Sequence, residues 1–446
     1  MSKPGTSSAS PSPVAHWSAA AGYLLAAAIT GTILHTFGGW PRLPAALLIW
    51  AAGLLLWPHA RVAARRQAGL LMGIGGAGMA WAWLHGVTPD WRAALETNTL
   101  LITMLAAVTF LRLLVPAGQE GGQRAQPRGP RALAQTLLST HLFGAVINLS
   151  AVFITGDHMQ RNGRLTPRQS VVLARGFATA AFWSPFFAAM ATVLVYVPGA
   201  SPHTLMIIGI PLAAAGLLVT LLQRGPDADA KFAGYPMRLA TLRLPALLAV
   251  AVLTLHGLHP AWPLLGIIAL LAPVTAVLYL LRRPAALGAV LQQHLGRSLP
   301  RMVNELWLFL AAGVMATGLA SVLATFDPGL PFTRYGSGEA ALTLGLMLLV
   351  SLVGIHPAVS IAVFGTLLMP ITIDPNLLGA TFLAAWAIGV TCSPFSGLNL
   401  ALQGHYRLRG RDLIRWNARY ALAMYGIACS GLWLYETITA RFPSAS

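Results

Sequence analysis

Apolar runs of about twenty residues follow one another along almost the whole chain, and the short gaps between them carry most of its arginines. A helix of that length crosses the hydrocarbon of a bilayer, and a helix satisfies its own backbone where there is no water to do so. The runs lie near 17–37, 44–60, 68–86, 98–116, 170–197, 204–223, 242–258, 263–282, 303–325, 376–403 and 417–438. Two further stretches, 133–155 and 340–369, are interrupted. The first holds His141, Asn148 and Ser150; the second holds Gly354, His356, Pro357 and Ser360. Composition agrees with a lipid solvent. Only 9% of the residues are charged and mean hydropathy is +0.67, whereas soluble domains carry roughly 25% charged residues. The fold expected is therefore all-α and integral to a membrane, with about eleven transmembrane helices.

A net charge of +17 raises the question of nucleic acid. The distribution answers it, because the arginines sit in the gaps between apolar runs and form no basic stripe with interleaved aromatics. No nucleic-acid partner is expected. Enzyme signatures are missing too: the sequence has no G-x-S-x-G, no H-E-x-x-H, no P-loop and no C-x-x-C. Cys392 and Cys429 stand in apolar segments without metal-ligand spacing, so no metal or cofactor is expected beyond Na⁺. The glycine-rich GIGGAG at 73–78 lies inside a run, where small residues serve helix packing. The opening MSKPGTSSASPSPVAHW has no secretory cleavage pattern. Residues 1–16 are expected to be a cytoplasmic tail and the first run to stay as a span.

Charge asymmetry decides how the interrupted stretches run. If both are re-entrant hairpins, one face collects Arg61, Arg65, Arg124, Arg128, Arg131, Arg161, Arg164, Arg168, Arg224, Arg243, Arg282, Arg297 and Arg301, with others, while the opposite face keeps Arg42, Arg92, Arg334 and Arg441. Short loops rich in arginine face the cytoplasm. Single crossings would split Arg124–Arg131 from Arg161–Arg168. The N-terminus is then cytoplasmic and the C-terminus external.

Internal similarity points the same way. Ser184-Pro185-Phe186 recurs as Ser393-Pro394-Phe395, 209 positions on, and the same offset carries Glu96 onto Glu305. An offset of 208 sets Asn148-Leu149-Ser150 against His356-Pro357-Ala358. The implied organisation is an extra first helix at 17–40, an inverted repeat at 41–223, a cytoplasmic linker at 224–241, a second inverted repeat at 242–438 and a tail at 439–446. Each repeat has five spans and one hairpin. Inverted repeats are common in secondary transporters, whose sites lie at the midplane between them.

Proline within a span removes a backbone hydrogen bond and clashes with the preceding turn. Pro185 and Pro394 both do this after a serine. Around the second break cluster Thr391, Ser393, Ser396, Gly397 and Asn399, whose oxygens suit Na⁺, with Ser393 and Asn399 the foremost ligands. A half-helix starting beyond each break turns N–H groups toward an anion. Asn148 and Ser150, and His356 and Ser360, are expected at the hairpin tips beside the breaks; His356 also titrates near neutral pH. The expected site is thus Asn148, Ser150, Ser184, Pro185, His356, Ser360, Thr391, Ser393, Pro394, Ser396 and Asn399. Arg175 reads as a boundary residue, the alternative being an attractor of anions, and Glu305 as either a functional carboxylate or one half of an interfacial ion pair.

This pattern resembles the ion transporter superfamily, namely the divalent anion/sodium symporters and the large membrane subunits of TRAP transporters. The similarity covers 17–438 as architecture and is motif-specific at 148–150, 183–187, 356–360 and 391–399. The tips depart from the symporters' Ser-Asn-Thr signature. The resemblance implies a homodimer, an elevator-like transport domain built from hairpins and broken helices, and an anionic, carboxylate substrate. The function expected is a multi-pass secondary active transporter of the bacterial inner membrane, moving a small organic anion with Na⁺ or H⁺. A neutral pocket without buried Asp or Glu favours an anion over an organic cation, which would lose its hydration without a countercharge. A cation/proton antiporter and a non-transporting membrane assembly protein are the alternatives. The first would want carboxylates at the breaks, and the second has no use for matched ones.

Overall fold

The computed structural model describes residues 13–114, 126–223, 232–236, 239–282, 284–325 and 329–441. Arg124, Arg224, most of the linker 224–241 and the ends of both tails lie outside them. The described chain is almost wholly helical: α1 (Pro13–Gly38), α2 (Leu43–Leu56), α3 (Val62–Leu84), α4 (Trp91–Glu96), α5 (Thr99–Val108), α6 (Pro130–Ile147), α7 (Ser150–Met159), α8 (Pro167–Thr179), α9 (Ala188–Tyr196), α10 (Pro202–Leu222), α11 (Leu239–Leu258), α12 (Leu264–Leu280), α13 (Pro284–Gln293), α14 (Val303–Thr325), α15 (Ser337–Leu352), α16 (Pro357–Leu368), α17 (Pro375–Cys392), α18 (Gly397–Tyr406) and α19 (Gly410–Arg441).

Among the described residues, five segments are long and apolar enough to cross a membrane: Trp17–Gly38, Trp91–Leu114, Pro202–Leu222, Pro284–Thr325 and Pro375–Tyr406. Several shorter apolar helices accompany them. Leu54, Leu70, Leu222, Leu349 and Leu422 stand exposed on the outside, as leucines do where lipid replaces water.

The helices pack in two groups. In one, α14 runs along α3, α1 along α2, and α5 along α12. Glycines set the closest approach, because without a side chain two helix backbones can touch. A Cβ on Gly75 would run into the carbonyl of Val314, and one on Gly318 into the carbonyl of Gly75. In the other group α17 sits at the centre, against α15, α19, α8, α9 and α10. It is buried along its whole length. The groups meet where α16 lies on α14 and α9 lies on α5. At that seam Asn98 donates to the Tyr196 hydroxyl at 2.8 Å and to the Phe309 carbonyl at 2.7 Å.

Three features are not evident from the sequence. The last helix starts at Gly410 and has 32 residues, about 48 Å of rise, so it overshoots the hydrocarbon at one end. Pro211 and Pro273 sit inside α10 and α12 without interrupting them. And the described part of the linker is tied to α6 and the residues before it: Gly129 N–H donates to Phe232, Gly234 N–H to Pro127, and Tyr235 N–H to the Thr136 hydroxyl.

Candidate functional site

Both interrupted stretches fold as helical hairpins, and both Ser-Pro sites break their helices. After α8 a 3₁₀ turn at Ala180–Phe182 unwinds the chain, and helix resumes only at Ala188. Pro185 has no N–H to give. The groups this frees are taken locally. The Ser184 hydroxyl donates to the carbonyl of Ala145 in α6 and accepts the Phe186 N–H at 3.2 Å. From the hairpin tip, Asn148 donates its amide to the Phe186 carbonyl at 3.1 Å. Asn148 has φ +52° and ψ −141°, a positive-φ turn conformation in which glycine, asparagine and aspartate predominate. It turns the chain from α6 into α7, and Ser150 opens α7 beside it. Asn148, Ser184 and Pro185 therefore form one unit.

The second break is held by one side chain above all. Ser393 is extended, as a residue before proline prefers, and α18 begins at Gly397. Asn399, fully buried, points its amide nitrogen back across the gap to the carbonyls of Val390 at 3.3 Å, Thr391 at 3.2 Å and Ser393 at 2.8 Å. Ser396 caps α18, accepting the Asn399 N–H at 3.1 Å and donating to Val390 at 2.8 Å. Thr391 bonds back to the Ile388 carbonyl at 2.7 Å, and Gln403 takes the Pro394 carbonyl at 2.7 Å. Among the described residues the Asn399 amide oxygen is buried without a hydrogen-bond partner. Thr391, Ser393, Pro394, Ser396 and Asn399 form the second unit. This also separates the two half-helix N-termini: that of α18 is capped by Ser396, whereas α9 starts after Phe187 with no side-chain cap.

The second hairpin turns at Gly354, whose φ of +100° suits only glycine. A Cβ there would stand 2.9 Å from the Phe395 ring, so the tip rests on the break. His356 caps α16, its Nδ1 accepting the Ala358 N–H at 3.2 Å, and its ring meets Trp386 edge-on with centroids 5.3 Å apart. One turn on, Ser360 buries its hydroxyl without a partner among the described residues. Because the cap needs a lone pair on Nδ1, asparagine can replace the histidine and alanine cannot. His356→Ala is expected to destabilise the hairpin by about 1 kcal/mol and to lower uptake, and His356→Asn to restore both; thermal unfolding and uptake on the two variants check this.

Sequence reasoning missed a polar relay beneath the first break. The Trp183 indole can only donate, and it does so to His141 Nε2 at 3.2 Å. The proton of that neutral ring therefore lies on Nδ1, 2.9 Å from the Thr179 hydroxyl. His141 was visible as an interruption of an apolar run, but it has no counterpart in the second half, so repeat matching passed over it. Arg175 is no boundary residue. It is buried, donates to Asn417, Gln223 and the Trp416 carbonyl at 2.8–2.9 Å, and lies 4.4 Å from the Tyr420 ring centroid. Neutral partners on α19 and just past the end of α10 hold it, which no spacing in the sequence announces. Glu305 has no ion-pair partner among the described residues, whereas Glu96 pairs with Arg92 at 2.7 Å. No group of three or more His, Cys, Asp or Glu residues suited to a metal occurs among the described residues.

An all-helical, multi-pass membrane protein is what this architecture defines. Its fold is similar to that of the Alcanivorax borkumensis YdaH transporter, known from a crystal structure, with a TM-score of 0.53 and 14% sequence identity over 85% of this chain and 99% of that one. No family model and no curated protein matches the chain.

Proposed function

We propose that the chain is a secondary active transporter of a small organic anion, a carboxylate, coupled to Na⁺ or H⁺ and working as an elevator in a homodimer in the bacterial inner membrane. One observation carries this: two helices broken at Ser-Pro-Phe are each met by a hairpin tip, through Asn148 on Phe186 and through Gly354 on Phe395. Backbone is left irregular at membrane depth only where protein buries it or a cavity needs it, and a pair of such breaks in corresponding halves is a pointer to a transport site. Element boundaries support the inverted repeats. Helix resumes at Ala188 after the first break and at Gly397 after the second, the spacing of the sequence repeat. The two helix groups support an elevator, the one around α3 and α14 holding still while the one around α17 moves. Likeness of fold to a protein described as a transporter agrees with this reading.

The substrate class follows from charge. The side chains at both breaks are neutral, and the uncapped start of α9 carries about half a positive charge. A carboxylate gains there; an organic cation would be desolvated with nothing to balance it. The unpartnered oxygen of Asn399 and the hydroxyl of Ser393 are the first ligands for Na⁺.

Thermal unfolding in detergent, screened against mono- and dicarboxylates, amines and metal cations with and without Na⁺, tests the assignment. A carboxylate at a hundred times its Kd should stabilise the protein by about 2.7 kcal/mol, a clear rise in midpoint. Stabilisation by amines or metal cations alone would contradict it.

A further inference from the structure

We infer that the groove between α11 and α12 is a binding site for an anionic phospholipid, one acyl chain lying in the groove and the phosphate held by Arg243 and Arg282. The groove has a volume of about 290 Å³, close to the lower bound of small-molecule pockets, roughly 300 Å³. Leucines 247, 248, 271 and 278 line it with Ala251 and Thr275, and Tyr279 and Arg282 close one end. The two helices are antiparallel, joined by the turn at 259–263, so the start of α11 and the end of α12 lie together.

The positions of the arginines give the site its selectivity. Arg243 stands four residues before Leu247, and Arg282 four residues after Leu278. Residues at that spacing share a helix face. Each helix therefore presents a leucine to the groove and an arginine one turn further out at the same end. Both arginines are exposed, and Arg282 rests its guanidinium 5.6 Å from the Tyr279 ring centroid. Neither α11 nor α12 contains an acidic residue. A zwitterionic lipid would bring a cation to this doubly positive end; an anionic one brings only the phosphate. Basic pockets between membrane helices on the cytoplasmic side take anionic headgroups in this way, and the arginine asymmetry assigns this end to the cytoplasm. The site requires that α11 and α12 span the membrane with this end at the cytoplasmic face, and it does not depend on what the protein transports.

Native mass spectrometry of the purified protein, titrated with phosphatidylglycerol and with phosphatidylcholine of the same chains, tests it. The wild type should bind one phosphatidylglycerol in clear preference. At about 1 kcal/mol per arginine, Arg243→Gln with Arg282→Gln should weaken that binding roughly thirtyfold. Ala251→Trp, which fills the groove and leaves both arginines, should also abolish it. Inorganic phosphate at millimolar concentration should not displace the lipid. Equal affinity for the two lipids, or unchanged phosphatidylglycerol binding in both variants, would overturn the site. Retention in Ala251→Trp together with displacement by phosphate would mean a bare anion site with no acyl groove, and would overturn it as well.

Discussion

Replacing Asn399 by leucine, which keeps the volume and removes the amide, is expected to abolish uptake and to cost about 1–3 kcal/mol of stability. The size follows from the bonds. One amide nitrogen serves the carbonyls of Val390, Thr391 and Ser393; Val390 also receives the Ser396 hydroxyl and Ser393 the Ser396 N–H, so among the described residues the Thr391 carbonyl has no other donor. A buried polar group left unpaired costs about 1–3 kcal/mol, which is the loss expected at the Thr391 carbonyl, while Val390 and Ser393 keep Ser396 as a donor. Pro211 and Pro273 show that proline alone does not open a helix; the open form at Pro394 persists because Asn399 and Ser396 satisfy what the proline frees. Thermal unfolding and uptake by Asn399→Leu measure the effect. A variant as stable and active as wild type would mean that water, not Asn399, satisfies the break.

The second large effect is expected at the crossing of α3 and α14. Gly318→Leu should destabilise the protein by about 3 kcal/mol or more, the upper range for overpacking. A Cβ at Gly318 already collides with the Gly75 carbonyl, and one at Gly78 would stand 2.7 Å from the Gly318 carbonyl. No rotamer avoids backbone, so the helices must part. Gly76 is the control: a Cβ there meets nothing within 4 Å, and Gly76→Leu should be nearly neutral. Thermal midpoints of the two variants, purified side by side, decide the matter. Equal tolerance would show that α3 and α14 are not packed at these glycines.

Much of this was legible in the sequence because its causes are local. Apolar run length gives membrane helices. A proline after serine in such a run gives a break, and its recurrence 209 positions on gives the pairing. The run GIGGAG gives close helix packing, though not its partner. What stayed hidden depends on contacts between distant segments. Asn399 was read as an oxygen ligand; its nitrogen turns out to brace the break. Trp183 gives no polar signal within its apolar run, yet it fixes the tautomer of His141 from another helix. Arg175, at the start of a broken span, reads as a boundary residue, yet Asn417, Gln223 and Trp416 meet it from segments more than forty residues away.

The central claim is that the two braced breaks form a site for an organic anion. Counterflow in proteoliposomes tests it most directly. Vesicles holding the purified protein are loaded with unlabelled mono- or dicarboxylates, amines or metal cations, and uptake of the matching labelled solute is followed. The account predicts exchange of at least one carboxylate, its loss in Asn399→Leu, and no exchange of amines. Exchange of cations alone, with every carboxylate silent, would contradict it.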